Sequence, residues 1–127
     1  MKLALGLASL GRPGYINLNH DLDLGQDKTV EALKNNAFEV MDAAWESGIR
    51  HFDAARSYGR AEEFLGEWLS LRNIDQHEVF ISSKWGYIYT AEWKTEAEKH
   101  EIKVHTPDNL SNQYQESIQL LGSYLDL

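Results

Sequence analysis

Two short stretches concentrate the groups able to move a proton. Asp53-Ala54-Ala55-Arg56-Ser57-Tyr58-Gly59 carries a carboxylate and a phenol, and Ser82-Ser83-Lys84-Trp85-Gly86 adds an amine. A phenol, with an ordinary pKa of about 10, is a weak acid at neutral pH. An ammonium beside it favours the phenolate, and a carboxylate can hold that ammonium in place. Such a trio makes a proton donor for a carbonyl oxygen that gains negative charge as hydride reaches its carbon. Singly, each residue has a plainer reading. An aspartate after a strand is usually a turn former or helix cap, a loop tyrosine usually packs, and a strand-end lysine is usually solvated. Their grouping on one face is what distinguishes them.

That grouping depends on the elements that carry them. Leu3 to Ser9 is a short, nearly continuous apolar run, as expected of a strand covered on both faces. A loop rich in turn formers runs from Gly11 to Asp27. Asp27 or Thr29 caps a helix whose apolar residues Val30, Leu33, Ala37, Val40, Met41 and Ala44 recur at helical spacing, and Gly48 ends it. Ile49 to Ala54 read as a second strand ending near Asp53, with Tyr58 in the loop that follows. Ala61, Phe64, Leu65, Trp68 and Leu69 place one stripe on a second helix. Glu78 to Lys84 form a third strand, and a long polar and aromatic loop from Trp85 to about Thr106 leads to Pro107-Asp108. There a third helix opens, with Leu110, Tyr114, Ile118 and Leu121 on its buried face and Gly122 at its end; a fourth strand begins near Tyr124.

Alternation of strands and helices implies right-handed βαβ units and a parallel sheet. Asp53, Tyr58 and Lys84 then project from the C-terminal ends of adjacent strands, the face that holds the active site in barrels of this kind. A complete (β/α)8 TIM barrel needs about 250 residues, and this chain has 127. The expected fold class is therefore α/β, an incomplete barrel of three βα units plus the start of strand 4. Residues 1–127 form the N-terminal part of a single domain with an open sheet edge.

Composition narrows the function classes. With 43% hydrophobic and 25% charged residues the chain reads as globular rather than disordered. A net charge of −8, with 12 basic residues scattered among 20 acidic ones, excludes a phosphate-tracking nucleic-acid surface. The absence of cysteine rules out disulfides, thiolate metal sites and a thiol nucleophile, and fits a cytoplasmic setting. The opening Met1-Lys2 and LALGLASLG are too short a signal peptide, lack a cleavage site and run into Arg12-Pro13. No apolar run reaches the ~20 residues of a membrane span. Gly6 to Gly11 has the spacing of a phosphate loop, but Arg12-Pro13 stands where Lys-Ser/Thr is needed, and no GxGxxG occurs. His20, His51, His77, His100 and His105 show no metal-ligand spacing and read as solvated or structural. The charges from Glu92 to Lys103 read as a solvated face. Asn109-Leu110-Ser111 is a formal glycosylation sequon, unused without secretion.

The stretches GIRHFDAARSYGRAEEFLGEWL, VFISSKWGY and LLGSYLDL, with the opening LALGLASLGRPGYINL, resemble the aldo-keto reductase family in order and separation. The resemblance implies an NADPH-preferring reductase of aldehydes or ketones. It makes Tyr58 the general acid, Lys84 the residue that lowers the pKa of Tyr58, and Asp53 the partner of Lys84. It sets Gly6 and Asp53 against the cofactor and Trp85 and Tyr89 in the substrate pocket. The family completes its catalytic set with a histidine at the end of the fourth strand, which falls beyond Leu127, as do the loops that bind the cofactor phosphates. Many relatives carry threonine where Leu7 follows Gly6 here. These departures imply a fragment that is inactive alone. The competing expectation is a non-catalytic binding or assembly module, of the kind represented by the beta subunits of potassium channels. Such a module self-associates or is complemented through the open sheet edge.

Overall fold

The computed structural model describes residues 2–14 and 28–126. The expected loop between residues 15 and 27, with Asp27 and His20, and the terminal Leu127 lie outside the described residues. In chain order the elements are β1 (Ala4–Gly6), α1 (Val30–Glu46), β2 (His51–Asp53), α2 (Ala61–Leu71), β3 (Phe80–Ser82), β4 (Tyr87–Tyr89), β5 (Glu101–Lys103) and α3 (Pro107–Leu121). Single turns of 3-10 helix precede β3 at Gln76–Glu78 and follow α3 at Gly122–Tyr124.

β1, β2 and β3 form a parallel sheet in that order, with Leu5, Phe52 and Ile81 in register across it. Alternation sends successive side chains to opposite faces. Phe52 and Ile81 are fully buried on the helix side, while His51, Asp53 and Ser82 line the other face. β1 was expected to be covered on both sides. Instead Ala4 and Gly6 are exposed and Leu5 half-buried, because among the described residues the helices cover only one face. The strand is also shorter than the apolar run, although Leu7 continues the ladder by donating its N–H to the Asp53 carbonyl at 2.9 Å. A fourth strand position is present: Leu125 bridges Ile81 in parallel, and the Asp126 N–H donates to the Ile81 carbonyl at 2.9 Å.

The first two helices follow their sequence pattern closely. Thr29 caps α1, its hydroxyl accepting from the Ala32 N–H at 3.2 Å. Leu33, Ala37, Met41 and Ala44 form its buried stripe, and Gly48 leaves it at φ +89°. On α2 the buried stripe is Ala61, Phe64, Leu65, Trp68 and Leu69, joined by Glu62. Trp68 is the largest fully buried side chain, and its ring lies 5.0 Å from that of Phe52 and 6.1 Å from that of Trp45. Its indole N–H donates to Asp42 at 2.8 Å, and Arg72 grips the same carboxylate bidentately at 2.9 and 2.8 Å. These donors hold the Asp42 carboxyl below its ordinary range, Arg72 contributing most.

Two expectations fail. The loop from Trp85 to Thr106 contains an antiparallel hairpin, with Tyr87, Ile88 and Tyr89 of β4 opposite Lys103, Ile102 and Glu101 of β5. Within it His100 is buried and Glu101 half-buried, so the stretch is not a uniformly solvated face. The third helix also turns a different side inward. Of the four residues expected on its buried face, Leu121 is buried and Ile118 half-buried, whereas Leu110 is 41% and Tyr114 54% exposed and Gln113 and Ser117 are buried instead.

Polar anchors explain that rotation. The Gln113 carboxamide accepts from the Gly86 N–H at 2.8 Å and donates to the Tyr87 carbonyl at 2.9 Å. Ser117 donates to the buried Glu62 carboxylate at 2.5 Å. Glu62 also accepts from Ser83 at 2.6 Å and pairs with Arg56, which reaches Glu116 on α3 at 2.8 Å. Desolvation opposes the Arg56 charge, but Glu62 and Glu116 more than offset it and raise its pKa. Satisfying a buried carboxylate outweighs the gain from turning Leu110 inward. At the α2–α3 crossing Gly66 has no room for a side chain, since a Cβ there would collide with the Leu120 carbonyl.

Two predictions follow from this packing. Glu62→Ala removes the shared buried acceptor of Arg56, Ser83 and Ser117 and leaves Arg56 only Glu116, so urea unfolding should show a loss of about 2–4 kcal/mol, with a smaller loss for Glu62→Gln. A cost below about 1 kcal/mol for Glu62→Ala would show that the network does not hold α3. The lowered pKa of Asp42 gives stability that is present above the ordinary carboxylate value of 3.8 and lost as pH falls through the lower folded value. Thermal unfolding of the wild type and Asp42→Asn should therefore differ at pH 7 and converge in strong acid; an unchanged gap would contradict this.

Candidate active site

The site is assembled where the strands end. Backbone hydrogen bonds prolong the β2–β3 pairing past the strands: Ala54 N–H donates to Ser82 at 2.9 Å and Arg56 N–H to Lys84 at 3.0 Å. Two residues beyond β3, Lys84 therefore returns to the face that carries Asp53. Its ammonium donates to Asp53 Oδ2 and, at 2.9 Å, to the Ala54 carbonyl. The same nitrogen lies 5.0 Å from the centroid of the Tyr58 ring. Asp53, Tyr58 and Lys84, the three residues grouped by sequence, are thus brought together at the C-terminal ends of β2 and β3, with Asp53 and Tyr58 half-buried and Lys84 half-exposed.

Tyr58 is set in place by two loops pressed against each other. The Gly59 backbone adopts φ +61°, and a Cβ there would collide with the Gly11 carbonyl. That carbonyl accepts from the Arg60 N–H at 2.7 Å. Beside them lies Arg12, fully buried although charged. It donates to the Ser57 carbonyl at 3.0 Å and to Glu101 of β5 at 3.2 Å. Its guanidinium carbon sits 5.8 Å from the Tyr58 ring centroid and 6.0 Å from that of Tyr89. One cation therefore ties the loop after β1, the loop after β2 and the hairpin together. Sequence reasoning used Arg12 only to dismiss other motifs, yet a lone arginine inside the glycine-rich LGRPG was a usable signal.

The remaining site expectations fall at different distances from this centre. Gly6 is the register partner of Asp53, and the space above its Cα is open. Trp85 follows Lys84, is largely exposed and packs its ring 5.4 Å from that of His105. Tyr89 is turned to Arg12, and its hydroxyl accepts from the Trp93 N–H at 3.2 Å. Burial pushes the Tyr89 phenol above its ordinary pKa, with the Trp93 N–H and Arg12 opposing. Ser82 was missed: its hydroxyl donates to Asp53 Oδ1 at 2.7 Å and contacts His51 Nε2 at 2.8 Å. Among the described residues no cluster of histidine, aspartate and glutamate could hold a metal ion, and no helix is long and apolar enough to cross a membrane.

The family model described as Aldo/keto reductase family matches residues 2–127. An aldo-keto reductase of Strobilurus tenacellus is 30% identical over 83 residues, covering 65% of this chain and 21% of the relative. A D-threo-aldose 1-dehydrogenase of a Pseudomonas species is 31% identical over 84 residues, covering 63% and 25%. The holo structure of an aldo-keto reductase from Bacillus halodurans superposes with a TM-score of 0.61 at 20% identity, covering 94% of this chain and 32% of that one. The chain thus spans about a fifth to a third of the length of these proteins, and its sheet and helices superpose on part of the reductase fold. With the match extending over nearly every residue, the chain belongs to the aldo-keto reductase family.

Proposed function

We propose that the protein carrying this chain is an oxidoreductase that reduces the carbonyl group of an aldehyde or ketone to an alcohol with NADPH. The observation that carries this reading is the position of the Lys84 ammonium, bound to Asp53 and facing the Tyr58 ring at 5.0 Å. The donor set suits a nicotinamide and a carbonyl at this opening: a phenol, an ammonium and a carboxylate lie beside open space at Gly6. When bound, the nicotinamide supplies the hydride to the carbonyl carbon. Tyr58 gives its hydroxyl proton to the carbonyl oxygen and is left with negative charge. Lys84 faces that charge, and the nearby Arg12 guanidinium adds a second positive field. Asp53 keeps the Lys84 ammonium from swinging into solvent. Gly6 and Asp53 border the nicotinamide. Trp85 supplies an apolar wall for the substrate, and Tyr89, held against Arg12, borders the same pocket.

The protein as its native host produces it should oxidise NADPH in the presence of a generic aldehyde. Tyr58→Phe should lower kcat by about 10²–10⁴-fold while leaving cofactor binding, followed by fluorescence, nearly unchanged. Unaltered turnover in that variant would remove Tyr58 from the reaction. These 127 residues alone should show little or no turnover, since they span a minor part of the relatives' length. Robust NADPH oxidation by them, abolished by Tyr58→Phe, would show that the machinery is complete within the chain.

A further inference from the structure

The two oxygens of Asp53 are used differently. Oδ2 holds Lys84, whereas Oδ1 accepts from Ser82, directly opposite Asp53 in the register of β2 and β3. A carboxylate can only accept, so the single Ser82 proton is committed to Asp53. The Ser82 oxygen is then left with lone pairs facing His51 Nε2 at 2.8 Å. That contact is attractive only if the Nε2 nitrogen carries its proton. The sheet makes the chain His51–Ser82–Asp53–Lys84 rigid. His51, Asp53 and Ser82 share one face of adjacent strands, and the His51 ring is braced edge-on by Phe80 with centroids 4.7 Å apart. The neighbouring serine shows how specific the placement is: Ser83 points the other way and donates to Glu62.

The geometry points to Ser82 as a positioning residue, which fixes the carboxylate of Asp53, with its own hydroxyl fixed by His51 in the Nε2–H form. This rests on the proposed reductase function, because it concerns how Lys84 is held beside Tyr58. Without the Ser82 hydroxyl the Asp53 carboxylate is free to rotate, and the Lys84 ammonium loses its defined place. Work thus falls to a histidine that reads as merely structural in the sequence and to a serine outside the proposed trio.

The test uses the natural protein containing these residues, labelled with ¹⁵N at histidine and lysine. The His51 ring shifts identify its tautomer, and the Lys84 ammonium signal, assigned by its absence in Lys84→Met, reports the order of that group. The expected result is an Nε2–H His51 and a Lys84 signal lost by exchange in Ser82→Ala. That variant should also show kcat lowered about tenfold at unchanged cofactor affinity, and Ser82→Thr should restore both signal and rate. A His51 ring without a proton on Nε2 overturns the proposal. So does a Lys84 signal that survives in Ser82→Ala, or a kcat unchanged despite its loss. If the wild type reduces no carbonyl compound, the reductase reading fails, while the tautomer and the Lys84 signal still decide whether Ser82 holds Asp53. Should Ser82→Ala not fold, His51→Phe against His51→Gln makes the same comparison, since only glutamine keeps a donor in place of Nε2.

Discussion

The parallel register of β1, β2 and β3 commits every side chain in the sheet to one of two faces, and the rest of the molecule follows from that choice. Leu5, Phe52 and Ile81 pair across the strands and turn to the helices, where Phe52 and Ile81 disappear into the core around Trp68. With period-two alternation their neighbours have no freedom left. Gly6, Asp53 and Ser82 fall in one row on the opposite side, and the ladder's continuation past β3 returns Lys84 to that row. A slip of one residue would bury Asp53 against Trp68 and expose Phe52. The chemistry of the site is thus secured by the hydrophobic pairing behind it.

Buried charges organise what the sheet does not reach. Arg12 and Glu62 are both almost wholly removed from water, at a cost that an apolar pair would avoid. Their use here is geometric. Arg12 gathers two active-site loops and the hairpin around Tyr58, and Glu62 gathers Arg56, Ser83 and Ser117 from the elements flanking the site. A buried ion tolerates few arrangements, because each lone pair or proton must find a partner. Such a group locates loops more sharply than apolar contact does, since apolar contact is satisfied by many orientations.

The accuracy of the sequence reading varied with the kind of burial. α1 and α2 were legible because their inward residues are apolar at helical spacing, and α1 also carries Thr29 and Gly48 at its ends. α3 was legible as a helix through Pro107, Asp108 and Gly122, but its inward face was legible only in part. Leu110 and Tyr114 suggested one stripe, whereas Gln113 and Ser117 are held inside by hydrogen bonds to Tyr87 and Glu62. The β4–β5 hairpin escaped notice because each of its strands is only three residues long and the alternation too brief to register. The grouping of Asp53, Tyr58 and Lys84 was legible from residue type and place, whereas the contacts of Ser82 with Asp53 and of Arg12 with Tyr58 were not.

What the sequence determined by itself is the alternation of the three parallel strands with the three helices, the grouping of Asp53, Tyr58 and Lys84, and the faces of the two apolar helices. These are local matters, set by periodicity, caps and turn chemistry over a few residues. Only the tertiary structure decided that Ser82 rather than Ser83 meets Asp53, that Arg12 lies beneath Tyr58, and that Glu62 rather than Glu63 is buried. Each outcome depends on polar groups far apart in the chain finding partners within about 3 Å of one another. Periodicity records which side chains leave water; it does not record which distant donor each acceptor will meet.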